Sequence, residues 1–142
     1  MAAGIGNPLG YVPAFDGQDP AIIGGIARTN ISGGVWCYAS GAADAVSSGL
    51  NSYITTDIGW VGDASGDRVN GVMIQYTGSN TYGAVATKGV IIALCDGTVT
   101  AGYPVWVRGA NGVADALAGS TPHGRALTGA GSEGYALIQL GL

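Results

Sequence analysis

Charge is in short supply in this sequence. Only 10% of its 142 residues are Asp, Glu, Lys or Arg, against about 25% in ordinary soluble domains. The cations Arg28, Arg68, Lys88, Arg108 and Arg125 stand singly along the chain, and the formal net charge is −4. Nucleic-acid binding through counterion release needs clustered Lys and Arg, so no nucleic-acid partner is expected. Histidine occurs once, as His123, and cysteine twice, as Cys37 and Cys95. No Cys-x-x-Cys pair, His-Glu-x-x-His helix, Gly-x-Ser-x-Gly elbow or Gly-x-x-x-x-Gly-Lys loop is present. Zinc at ordinary ligand spacing is thereby excluded, and neither an enzyme nor a cofactor is expected. Both cysteines sit in apolar, strand-like runs and read as buried small hydrophobes. A disulfide between them is the alternative that sequence leaves open.

Long apolar runs are missing as well. The most apolar stretch, residues 89–95, stops at Asp96-Gly97, far short of the roughly 18 residues that a membrane-spanning helix needs. No membrane partner is expected. Residues 1–6 lack a basic region followed by an apolar stretch, which reads as a protein made in the cytoplasm and kept inside a cell until release. Disorder is excluded by the same figures, because 47% of the residues are hydrophobic while charge is scarce. The length suggests one domain with a real core. A surface this poor in charge is expected to be covered by partners.

Glycine, with 27 residues, punctuates what is present. Residues 1–30 carry Pro8, Pro13 and Pro20 and no amphipathic period, and read as an extended N-terminal arm. That arm holds Ile5, Leu9, Tyr11, Phe15, Ile22 and Ile23, more apolar matter than a solvated tail keeps. These six are the expected contacts with a neighbour. From residue 31 onward, short runs rich in Val, Ile, Trp and Tyr alternate with Gly, Asp, Asn and Ser. Strands are expected over 34–39, 54–61, 71–76, 82–87, 90–94, 104–108 and 135–140, with at most a short helical turn at 41–48 and 112–118. The expected fold is all-β: a small β-barrel or β-sandwich.

An internal repeat, about 31–76 and 97–142, runs through this domain. Ile31-Ser32-Gly33-Gly34 before one strand recurs as Val99-Thr100-Ala101-Gly102 before another. Gly59-Trp60-Val61 is matched with Gly124-Arg125-Ala126, and Val72-Met73-Ile74-Gln75 with Ala136-Leu137-Ile138-Gln139. Two such β units are expected to pack on each other. Asp63, Ser65 and Asp67 alternate in a loop and can face a hard cation, but a plain turn is the expected reading and no metal is assigned. Trp36, Trp60 and Trp106 are expected in the core or in a seam between subunits. Together with Tyr53, Tyr76, Tyr82, Tyr103 and Tyr135 they also offer a carbohydrate platform.

The run Asp96-Gly97-Thr98-Val99-Thr100-Ala101-Gly102-Tyr103-Pro104-Val105-Trp106-Val107, a variable Gly-Ala-Asn-Gly loop, and Pro122-His123-Gly124-Arg125-Ala126-Leu127 resemble the head decoration (cement) proteins of tailed phages. The resemblance spans about residues 31–142 and leaves the arm uncovered. It implies a β-tulip-like domain on the outer surface of an icosahedral head. It further implies a homotrimer that clamps neighbouring major capsid protein subunits, stabilises the capsid and does no chemistry. Two other readings remain from the residues themselves: a self-assembling subunit of an extracellular filament or surface layer, and a carbohydrate-binding β module.

Overall fold

Along Tyr135–Leu140 half-buried and buried side chains alternate without a break, the period-two signature of a strand with one face on a core. This pattern recurs through a computed structural model that describes residues 21–40, 59–62, 68–107, 113–119, 121–130 and 134–141. Nine strands are described: β1 Ala21–Ala27, β2 Trp36–Ala39, β3 Gly59–Val61, β4 Gly71–Met73, β5 Tyr82–Leu94, β6 Pro104–Val107, β7 Ala114–Asp115, β8 Gly124–Ala126 and β9 Tyr135–Leu140. No α-helix occurs among the described residues. The fold is all-β, as the sequence indicates.

The strands run β1-β3-β2-β4-β5-β9-β8-β6-β7, and β1 pairs a second time with β5. That extra pairing closes β1, β3, β2, β4 and the first half of β5 into a five-stranded barrel. The second half of β5 continues into a sheet with β9, β8, β6 and β7. An isolated parallel bridge from Cys95 to Ala114 brings β7 back beside the end of β5, so that this sheet also forms a ring. β5 is therefore the last strand of one ring and the first strand of the next. Its partners change from β1 to β9 between Lys88 and Gly89, and Gly89 takes the positive φ of 107° that this step requires.

The two rings have the same pairing scheme. Ile23 faces Val85 in the first ring, and Ile91 faces Ile138 in the second. Cys37 faces Gly71, and Val105 faces Gly124. Met73 faces Val85, and Ala126 faces Ile138. The parallel contact Ala27 to Trp60 has its counterpart in Cys95 to Ala114. Gly34 and Gly102 make the same turn at φ 90° and 91°. Inside the first ring lie Ala27, Ile31, Cys37, Trp60, Met73 and Val85. The matching positions of the second ring, Cys95, Val99, Val105, Ala114, Ala126 and Ile138, are buried in the larger cluster.

These pairings fix the register of the duplication. Ile31–Gly34 does match Val99–Gly102, but β4 corresponds to β8 and the first half of β5 to β9. The sequence matching of Gly59–Val61 with Gly124–Ala126, and of 72–75 with 136–139, is out by one strand. The cause is unequal connections: residues 40–58 separate β2 from β3, whereas only 108–113 separate β6 from β7. A nearly gapless comparison slips by one strand across that difference.

Three further differences concern elements. Residues 21–27, read as the end of the arm, form β1, which is paired on both sides with β3 and β5. The prolines that argued against a strand all lie before residue 21. The two runs 82–87 and 90–94 are one strand, and part of the alanine-rich stretch 112–118 supplies β7.

Candidate functional site

The rings are joined as well as connected. Trp36 donates its indole N–H to the carbonyl of Leu94 at 2.8 Å, and the Leu94 N–H reaches the carbonyl of Gly34 at 2.8 Å. Trp36, Val72, Ile74 and Ala86, on the outside of the first ring, belong to the same buried cluster as the core of the second. A Cβ on Gly34 would stand 2.9 Å from Cε1 of Tyr135, so glycine is needed where that ring crosses.

Between the rings lies a cleft of about 220 Å³ whose walls include Asn70 and His123. The Ala39 N–H donates to Asn70 Oδ1 at 2.6 Å, and the Val107 N–H donates to His123 Nδ1 at 2.9 Å. The single histidine thus tethers a backbone donor, with its proton on Nε2 in this arrangement.

Most of the exposed large apolar side chains cluster on the first ring. Ile22, Tyr76 and Tyr82 line an open cleft of about 440 Å³ with Gln75, Thr77 and Thr81. Tyr82 is 60% exposed and Tyr76 46%. A Cβ on Gly24 would stand 2.9 Å from Tyr82 Cε2, so this ring lies across the backbone of β1. On the second ring Tyr103, Leu117 and Leu127 are exposed, and Tyr103 shares a shallow cleft of about 330 Å³ with Thr100, Pro104, Trp106 and Ala116.

Of the residues singled out in the sequence, Ile5, Leu9, Tyr11 and Phe15 lie outside the described residues, as do Tyr53, Asp63, Ser65 and Asp67. Ile22 and Ile23 are exposed on β1. Trp36 joins the rings, Trp60 fills the first of them, and Trp106 is half-buried beside Tyr103. Cys37 and Cys95 are both buried, each in a different ring, and no disulfide joins them. Burial, helped by the neighbouring Asp96 carboxylate, pushes the Cys95 thiol up to about 12. Among the described residues no three His, Cys, Asp or Glu side chains gather as a metal-holding group.

Sequence reasoning passed over Gly24 and Asn70. For Asn70 a signal was available: Asn70-Gly71 and His123-Gly124 are each a polar residue followed by the glycine that opens a strand.

No family model matches the chain, and no curated protein matches it. Among solved structures, the fold is similar to the N base of the head fiber protein gp8.5 of bacteriophage phi29, with a TM-score of 0.56 and 13% sequence identity. The likeness covers 87% of this chain and 95% of the other. At that identity it speaks to the fold, and it extends over nearly all of both chains.

Proposed function

We propose that this chain is a structural protein of a phage virion that sits on the outside of the head and clamps neighbouring major capsid subunits as a homotrimer. The observation that carries the reading is the likeness over almost the whole chain to the base of a head fiber. Composition supports it independently, since a chain with only 10% charged residues suits a protein covered by several partners. The arm residues Ile5, Leu9, Tyr11 and Phe15, with the exposed Ile22 and Ile23 at the start of the first ring, are the proposed contacts with capsid or neighbour. Burying apolar area only on the assembled lattice would stabilise that lattice by mass action.

Co-sedimentation with DNA-free heads of the phage that encodes the chain tests this. The full chain should pellet with heads at saturating stoichiometry. A variant lacking residues 1–20, which leaves β1 intact, should bind more weakly. Light scattering should give a discrete trimer, in solution or once bound. Failure to bind heads would refute decoration. Open-ended polymers would instead support a filament subunit, because head-to-tail contacts that do not close grow without limit.

A further inference from the structure

The cleft on the first ring has a counterpart position on the second, and the two have diverged. Tyr82 and Tyr135 occupy the same place, opposite Ile26 and Leu94 respectively. Gly24, which the Tyr82 ring crosses, is replaced in the second ring by Ile92, as their partners Ala84 and Leu137 show. With a side chain there, Tyr135 lies on Gly34 instead and is half-buried. Tyr76 is replaced by Gly129, which follows from the matched backbone bonds of Ile74 to Ala84 and Leu127 to Leu137. At these matched positions, therefore, the first ring carries two exposed tyrosines where the second has Gly129 and a half-buried Tyr135.

A glycine inside a strand weakens it and marks a place where something approaches closely. Here what approaches is a ring that remains 60% exposed. Its inner side lies against β1, and Tyr76, also exposed, lines the same cleft. Gln75 adds an amide, Thr81 adds a hydroxyl that donates to the Gly78 carbonyl at 2.6 Å and keeps its lone pairs as acceptors, and no lining residue among the described residues is charged. Aromatic faces with a few neutral hydrogen-bonding groups match a ligand with an apolar C–H face and a rim of hydroxyls.

We propose that this cleft binds an uncharged saccharide, with Tyr82 and Tyr76 as the stacking surfaces and Gln75 and Thr81 as the groups that address its hydroxyls. Gly24 is a positioning residue that sets the angle of the Tyr82 ring. The site does not depend on the capsid reading, because Tyr76, Tyr82, Gln75 and Thr81, the groups that would address the sugar, are not among the proposed head contacts, although Ile22 lines the cleft as well.

The test is saturation-transfer NMR and calorimetry on the full chain with cellohexaose, chitohexaose and maltohexaose. At least one should bind, with transfer to its ring C–H protons. Tyr82→Ala and Tyr76→Gly should each weaken binding about tenfold or more. Gly24→Ala should also weaken it, though it removes no contacting side chain. Tyr103→Ala, on the other ring, should leave it unchanged. Circular dichroism establishes that each variant is folded. Absence of binding to all three sugars overturns the proposal, as does binding that survives both tyrosine substitutions. A change in oligomeric mass on Tyr82→Ala, without sugar binding by the parent chain, would identify the cleft as a subunit contact instead. Loss of head binding with sugar binding retained would separate failure of the capsid reading from failure of this one.

Discussion

Asn70 and His123 hold the same position in two copies of one ring and make the same bond. Asn70 Oδ1 takes the N–H of Ala39, and His123 Nδ1 takes the N–H of Val107. Each side chain precedes a paired glycine, Gly71 or Gly124, and thereby satisfies a donor at the end of the neighbouring strand. His123→Asn should therefore preserve stability to within a few tenths of a kcal/mol, because the first ring already uses Asn there. His123→Ala and Asn70→Ala each leave a backbone donor without its acceptor and should cost about 1 kcal/mol or more. Urea denaturation of the three variants measures this.

Gly71 and Gly124 are required for a second reason. A Cβ on Gly71 would collide with the carbonyl oxygen of Ala86 and the side chain of Val85. One on Gly124 would stand 2.6 Å from Ile138 Cγ2 and 2.9 Å from the carbonyl oxygen of Gln139. The obstacle in both is backbone plus a buried β-branched residue, neither of which can move aside cheaply. Gly71→Ala and Gly124→Ala should each destabilise the fold by about 2–4 kcal/mol. Gly97→Ala, with open space around it, should change stability by less than about 0.5 kcal/mol. Thermal or denaturant unfolding separates these outcomes.

Cys95 makes stability depend on alkaline pH. Its thiol is pushed from 9.0 to about 12, chiefly by burial and further by Asp96. Between those values the folded protein keeps a proton that the unfolded chain has released. This contribution is intact below about pH 9 and is lost as pH rises towards 12, at about 1.4 kcal/mol per pH unit. Tyr135, whose phenol burial also raises, changes stability in the same direction. Cys95→Ala, which places in the second ring the residue found at position 27 of the first, should flatten part of the slope. Stability measured from pH 8 to 11 shows whether it does. Neither thiol should react with a maleimide in the folded chain at pH 7.

Trp36 and Trp60 should differ in what their loss does. Trp60 is 2% exposed inside the first ring, so Trp60→Ala leaves a large cavity and should cost about 3–5 kcal/mol. Trp36→Phe keeps most of the packing and removes the bond to the Leu94 carbonyl. It should cost about 1–2 kcal/mol and should affect the contact between the rings more than either ring alone. Hydrogen exchange at Leu94, whose N–H is held by Gly34, reports that loosening directly.

How much of this was legible in the sequence follows from particular residues. The all-β class was legible, because β-branched and aromatic runs bounded by glycine leave few alternatives. Duplication was legible at Ile31–Gly34 and Val99–Gly102, where both copies keep the same turn. Its continuation was not, since β8 reads Gly-Arg-Ala and β4 Gly-Val-Met, and only their partners reveal that they are the same strand. β1 was hidden by its neighbours, as prolines up to residue 20 coloured the reading of residues that contain none. The aromatic cleft was half legible. Tyr76 and Tyr82 stood among the candidates, but Gly24, which decides how one ring lies, is a glycine among 27.

β5 also bears on how the protein carries load. Its thirteen residues are clamped by β1 and β4 in one ring and by β9 in the other. A pull that separates the rings along this strand must shear many ladder bonds at once. A pull across it can peel them one after another. If one ring is anchored and the other dragged, the direction of the drag relative to β5 decides whether the molecule behaves as a cable or as a zipper.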